Sequence, residues 1–192
     1  MMSPMVKLPL TTEYALLGFL RQEPMHGYEI HRRLSESEGL GLVWHVKQNQ
    51  LYALLGKLEK KGYVTIELEP QENRPARKIF HLTQAGREAF LDWVQSPVKQ
   101  GRRLRLDFLA KLYFAQLEGA DVTAKLIDQQ QAACQIWLNK QHQQTEDIRA
   151  NRPYDWLVRE FRVGQLEAML KWLDTCRHVL PTSLEAPSTG DR

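Results

Sequence analysis

The chain has 192 residues, 43% hydrophobic and 26% charged, a balance that excludes wholesale disorder and suits one sizeable domain or two small ones. No apolar run approaches the ~18 residues that span a bilayer, and the opening MMSPMVKLPLTTEYALLGFL has neither a basic leader start nor a small-residue cleavage site, so a cytoplasmic protein with no membrane partner is expected. A net charge of +3 identifies no partner by itself; a nucleic-acid site would need the positive charge to be clustered.

In chain order, TTEYALLGFLRQ (11–22) starts at a threonine cap and places Leu16, Leu17 and Leu20 on one helical face. EPMHG breaks the chain at Pro24, and a second helix is expected from Gly27 to Ser37, with Ile30 and Leu34 inward. EGLGLVW reads as a turn. A third helix covers Gln48 to Lys61 and stops at Gly62. VTIELE (64–69) alternates, with Val64, Ile66 and Leu68 on one side, and KIFHLT is its returning strand across the polar turn PQENRPAR. The hairpin carries Arg74, Arg77 and Lys78 at its tip and return strand. Thr83 caps a fourth helix with Phe90, Trp93 and Val94 inward.

SPVKQG (96–101) is the expected boundary, giving a first domain over 1–96 and a helical one over 102–180. LRLDFLAKLYFAQL (104–117) is apolar almost all round. A glutamine-rich helix over 121–150 follows, interrupted by NRP. The last helix, 154–179, places Leu166, Met169, Leu170, Leu173 and Cys176 on a heptad-like seam of about two heptads. Residues 181–192 read as a disordered tail. The fold class is mainly α with a small β-hairpin. Three helices, a hairpin and a further helix, in that order, make the winged variant of the helix-turn-helix, whose third helix enters a major groove.

That third helix supports the reading. Leu51, Leu54, Leu55 and Leu58 share one face; Asn49, Ala53, Gly56, Lys57 and Lys60 share the opposite one, with Gln48 and Tyr52 to one side near the leading end. A helix in a groove needs small residues near base edges, hydrogen-bonding groups at its leading end and cations beside phosphates. Gly56 costs helix stability, about 1 kcal/mol against alanine, so it needs a reason: clearance for DNA, or relief of a tight helix contact. Taken alone, Lys57, Lys60 and Lys61 read as a solvated helix end favoured by the macrodipole; the basic hairpin beside them changes the balance. Gln48, Asn49 and Tyr52 are therefore the candidates for base contact, Ala53 and Gly56 for clearance, and Lys57, Lys60, Arg74, Arg77 and Lys78 for phosphates. Tyr28, at the anion-attracting start of the second helix, is either a phosphate contact or a core aromatic with its hydroxyl at the surface.

The segments LLGFLRQEPMHGYEI, NQLYALLGKLEKKGYV and RKIFHLTQAGREAF resemble the PadR family of bacterial transcriptional regulators, over roughly 15–95. LRLDFLAKLYFAQL is similar to the start of the helical C-terminal domain of its longer members. Ala53 stands where the family often has proline, and Phe80 where tyrosine is usual; the first departure lies on the groove face. The resemblance implies a sequence-specific DNA-binding repressor, released by a signal, that binds double-stranded operator DNA with two half-sites. It implies a homodimer clasped by C-terminal helices, with Leu106, Leu109, Tyr113, Leu166, Leu170 and Leu173 as core or interface residues. It also implies a small aromatic effector, although the residues identify none and most aromatics read as packing. The competing reading is a winged-helix protein-interaction module without DNA binding.

Other chemistry finds no support. Cys134 and Cys176 have no metal or redox spacing and read as buried thiols. His26 and His31 do not share a helical face, and no metal motif is present. Glu160, Glu167 and Asp174 read as a solvated stripe, and no nucleophile-elbow, Walker or dinucleotide motif occurs, so neither an enzyme nor a cofactor is expected.

Overall fold

The computed structural model describes residues 10–36, 38–71, 74–143 and 151–180. The expected tail, 181–192, and the end of the expected glutamine-rich helix lie outside them. The chain forms two compact units that interleave in sequence. The first takes residues up to Val94 together with Arg105–Phe114; the second takes Gln95–Leu104 and the chain from Ala115. The apolar stretch Arg105–Phe114, which follows the expected boundary at 96–101, packs with the first unit.

In the first unit, helix α1 spans Leu10–Gln22 and buries Leu16, Leu17, Phe19 and Leu20. Thr11 is not its cap: the helix already includes Leu10, and the buried Thr11 hydroxyl donates to Asp107 Oδ1. Strand β1, Met25–His26, lies in what the sequence offers only as a break. Helix α2, Gly27–Ser35, fully buries Ile30 and Leu34; the His26 N–H donates to Glu29 Oε2 at 2.8 Å, satisfying a donor at the helix start. A 3-10 turn over Gly39–Leu42 leads to helix α3, Gln48–Lys60, whose Leu51, Leu54, Leu55 and Leu58 are buried. Gly62, at φ 72°, ends α3: its N–H donates to Glu59 O, and Tyr63 N–H reaches back to Leu58 O at 3.0 Å.

Strands β2 (Val64–Gln71) and β3 (Arg74–Leu82) form the hairpin, and β1 pairs on the far side of β3, giving the order β1-β3-β2 with all pairs antiparallel. The expected two-stranded hairpin is thus a three-stranded sheet. Its register sets Met25 against Phe80, His26 against Ile79, and Glu69 against Arg77. Along β2, Val64 is buried and Ile66 half-buried, but Leu68 is 61% exposed, contrary to its expected inward position: the hairpin has by then run beyond the body that could cover it. Helix α4, Gln84–Gln95, is capped as expected by Thr83, whose Oγ1 accepts from the Gly86 N–H at 3.1 Å and donates to Gly62 O at 2.7 Å. This second bond ties the start of α4 to the exit of α3.

The remaining stretch of the first unit, Arg105–Phe114, runs from within a π-helical turn, Leu104–Phe108, into the first part of helix α5, Leu109–Glu118. Phe108, Ala110 and Phe114 are buried, and the buried Lys111 donates to the Trp93 carbonyl. Phe19, Phe90, Trp93 and Tyr113 all meet Phe114 edge-on, with centroids 5.1–6.3 Å apart, and Tyr14 stacks on Trp93 at 5.6 Å. These aromatics hold a core, as the packing reading expects.

In the second unit, helix α6 (Ala120–His142) and helix α7 (Pro153–Val179) pack along each other. Gln130, fully buried on α6, clasps the backbone of Val98: Val98 N–H donates to its Oε1 at 2.6 Å and its Nε2 donates to Val98 O at 3.5 Å. Cys134 and Cys176 are free and buried, and burial pushes both thiols above their ordinary range, as befits inert packing residues. Among the described residues no helix is long and apolar enough to cross a membrane, and no cluster could hold a metal ion.

Candidate nucleic-acid interface

The outward face of α3 is open. Gln48, Asn49, Ala53 and Lys60 are exposed and Tyr52 is 42% exposed. A Cβ placed on Gly56 would have no neighbour within 4 Å. Relief of a tight helix contact therefore does not explain this glycine: it faces open space in the middle of a helix that would be more stable with alanine. Asn49 Oδ1 accepts from the Gln50 N–H at 2.8 Å, and Lys47 N–H donates to Gln50 Oε1 at 3.3 Å, so the leading turn is fixed by its own polar side chains.

Lys57, expected as a phosphate contact, makes an ion pair within the chain. Its Nζ pairs with Glu13 Oε1 of α1, and Lys61 Nζ binds Glu13 Oε2 at 2.8 Å. Both lysines lie on the flank of α3 that turns toward α1, and Glu13, 2% exposed, is a carboxylate that burial would otherwise leave without partners. Burial pushes the Glu13 carboxyl up. Hydrogen bonds from Lys57 and Lys61, with their charges, more than offset it and hold the group below the usual carboxylate range. The bond to Glu13 in turn raises Lys61. Glu13 carries no motif, and the sequence reading missed it. Its signal was a lone acidic residue followed immediately by an apolar helix face.

On the hairpin, Arg77 and Lys78 are exposed and have no ion-pair partner among the described residues. Arg74 pairs through its backbone with Gln71; its side chain lies outside the description. Tyr28 is 47% exposed and stacks on His26 at 5.5 Å and 16°, which removes the core reading of that residue. His26 faces two acceptors: Nδ1 lies 3.2 Å from Lys78 O, and Nε2 lies 3.5 Å from Glu69 Oε2.

These pieces meet in a cleft of about 490 Å³ lined by His26, Gly27, Tyr28, Tyr52, Ala76, Arg77 and Lys78. The start of α2, the leading half of α3 and the return strand thus converge, and they bring Tyr28, Tyr52, Arg77 and Lys78 together. Three aromatic faces beside two cations suit a polyanion with sugar or base surfaces. His26, Gly27 and Ala76 were not among the expected site residues. The two-residue strand β1, too short for any periodicity, is what carries His26 and Gly27 to the hairpin.

The same domain is found in known proteins. Residues 16–92 match the Transcriptional regulator PadR-like family, and residues 104–181 match the Virulence activator alpha C-term family. The chain is thus similar to PadR-like transcriptional regulators over residues 16–92. It is 29% identical over 124 residues to the negative transcriptional regulator PadR of Bacillus subtilis, covering 62% of this chain and 67% of that one. It is 28% identical over 89 residues to a probable transcriptional regulator of Mycobacterium tuberculosis, covering 46% of each. It thus spans about two thirds of the first PadR-like relative and under half of the second. Among solved structures, Bacillus subtilis PadR in complex with operator DNA aligns over 88% of this chain and 99% of that one, at 22% identity and a TM-score of 0.44. A PadR-like regulator from Bacillus cereus aligns over 92% and 99%, at 22% identity and 0.43.

The six residues expected at a subunit interface fall in two places. Leu106, Leu109 and Tyr113 are half-buried in the first unit, where Tyr113 packs on Phe114 and lies 3.0 Å from a Cβ placed on Gly39. Leu166 and Leu173 are buried within the second unit and Leu170 is half-buried there, so this seam is taken up within the chain itself. The apolar residues that α7 leaves uncovered form another stripe. Tyr154, Leu157 and Phe161 are 75%, 57% and 66% exposed, and the exposed Gly164 and Ala168 continue them at alternating three- and four-residue spacing.

Proposed function

We propose that this PadR-like protein is a transcriptional repressor that binds operator DNA as a homodimer, with α3 in the major groove and the hairpin against the neighbouring backbone. The observation that carries the reading is Gly56: a glycine in mid-helix, facing open space, on a face that ends in Lys60, an exposed cation with no ion-pair partner among the described residues. Gln48, Asn49 and Tyr52 supply base or near-base contacts; Tyr28, Lys60, Arg77, Lys78 and Arg74 supply backbone contacts. Lys57 is withdrawn from this set by Glu13. The name of the Bacillus subtilis relative, a negative transcriptional regulator, favours repression over activation. The α7 stripe of Tyr154, Leu157, Phe161, Gly164 and Ala168 supports the dimer, since its large apolar residues are left uncovered and the small residues at its C-terminal end allow a second helix to approach closely. Two such subunits would read half-sites about 34 Å apart.

The test is fluorescence anisotropy on duplexes from upstream of the protein's own gene and on random duplexes, across a salt series. Binding should weaken linearly on a log–log scale with salt, and Lys60→Ala should lower the slope by about 1 while weakening both duplexes alike. Binding that ignores salt, or no binding to either duplex, would favour the interaction-module reading. An unchanged slope in Lys60→Ala would remove that lysine from the phosphate contacts.

A further inference from the structure

Gly27 lies at the buried start of α2, in the lining of the same cleft. A Cβ placed there would meet the ring of Tyr52: 2.7 Å from Cε1, 3.0 Å from Cζ and 3.1 Å from the hydroxyl oxygen. The absent side chain is therefore what allows the Tyr52 ring to lie on the first turn of α2. Tyr52 itself is 42% exposed, at the leading half of α3, in the cleft it shares with Arg77 and Lys78. Part of its ring lies against Gly27, and the rest is exposed in that cleft.

We propose that Gly27 is a positioning residue for DNA sequence selection, acting through Tyr52. The glycine fixes where the Tyr52 ring stands relative to Gln48 and Asn49, and hence which base pairs in each half-site the helix end meets. The inference rests on the DNA-binding reading above. The atoms that a new Cβ would meet are the far end of a partly exposed ring, so a methyl group at 27 displaces Tyr52 outward and leaves the buried leucines of α3 in place. The consequence is altered recognition in a protein that still folds.

The experiment enriches binders from a randomised duplex library in parallel with wild type, Gly27→Ala, Tyr52→Ala and the double variant, with thermal unfolding as a control. Expected is a wild-type motif that Gly27→Ala relaxes or changes at one or two positions per half-site, by about fivefold to a hundredfold, the range a single base pair commands. Tyr52→Ala should affect the same positions, and adding Gly27→Ala to it should change nothing further, because no ring remains to displace. A Gly27→Ala variant that unfolds, while the double variant folds, would establish the same steric coupling. Gly27→Ala enriching the unaltered motif overturns the proposal. So does an effect of Gly27→Ala that persists undiminished without the Tyr52 ring. A wild-type protein that enriches no motif would instead overturn the DNA reading itself, and this inference with it.

Discussion

At the scale of single residues, stability and recognition pull in opposite directions on α3, and Gly56 is where they can be separated. Its Cβ position is empty to 4 Å, so Gly56→Ala meets no steric resistance and gains the helix propensity that glycine lacks. The variant should be more stable by about 1 kcal/mol, a rise of roughly 2–4 °C in the unfolding midpoint for a chain of this size. If the open face is closed by a DNA groove, the same methyl group should weaken operator binding. Calorimetry and anisotropy on one preparation read both effects. A variant that is more stable and binds DNA as well as wild type would mean that α3 does not approach the bases closely at this position.

At the scale of elements, the inner face of α3 was legible in the sequence and its flank was not. The four leucines repeat at helical spacing, and periodicity alone places them inward. Gly62 and Thr83 bound their elements by local chemistry and were equally legible. Lys57 and Lys61 look like any solvated lysines. Their partner Glu13 is 44 and 48 residues away, and only the packing of α1 against α3 reveals it. Strand β1 and the exposed Leu68 were missed for a related reason: both depend on what lies alongside the strand rather than on its own pattern. The Glu13 clamp has a measurable consequence. Its folded-state carboxyl titrates below the ordinary range, so its stabilisation is complete above the unfolded-state value, near 4.5, and is lost as pH falls through the lower folded value. Lys61, raised by the same bond, adds stability below its ordinary value that is lost only as pH rises through the raised one. Glu13→Gln should cost about 1–3 kcal/mol at neutral pH, the upper figure discounted because both lysines are partly exposed. It should also flatten the acid limb of the stability–pH curve below about pH 4.5. Chemical denaturation at several pH values checks this; an acid limb unchanged by the substitution would mean that Glu13 is not its source.

At the scale of the whole molecule, the interleaving of the two units governs how self-association can be tested. Cutting the chain after residue 96 would strip Phe108, Ala110 and Phe114 from the core of the first unit, so loss of DNA binding in such a fragment would say nothing about dimers. A surface substitution avoids this difficulty. Phe161 is 66% exposed, so Phe161→Asp removes little that the single chain uses for folding. If two chains meet along the Tyr154–Leu157–Phe161 stripe, the aspartate places an unpaired charge in a closed apolar seam. The species seen by sedimentation should then fall from twice the chain mass to 22.4 kDa. Affinity for a two-half-site duplex should drop by about 10²- to 10⁴-fold as the second engagement ceases to be intramolecular, while affinity for a single half-site stays as it was. Leu173→Asp is the contrasting case: Leu173 is fully buried within the second unit, so that change should unfold the unit before it dissociates anything. A folded Phe161→Asp protein that still sediments at twice the chain mass would exclude this stripe and direct the search to the exposed Ile136 of α6.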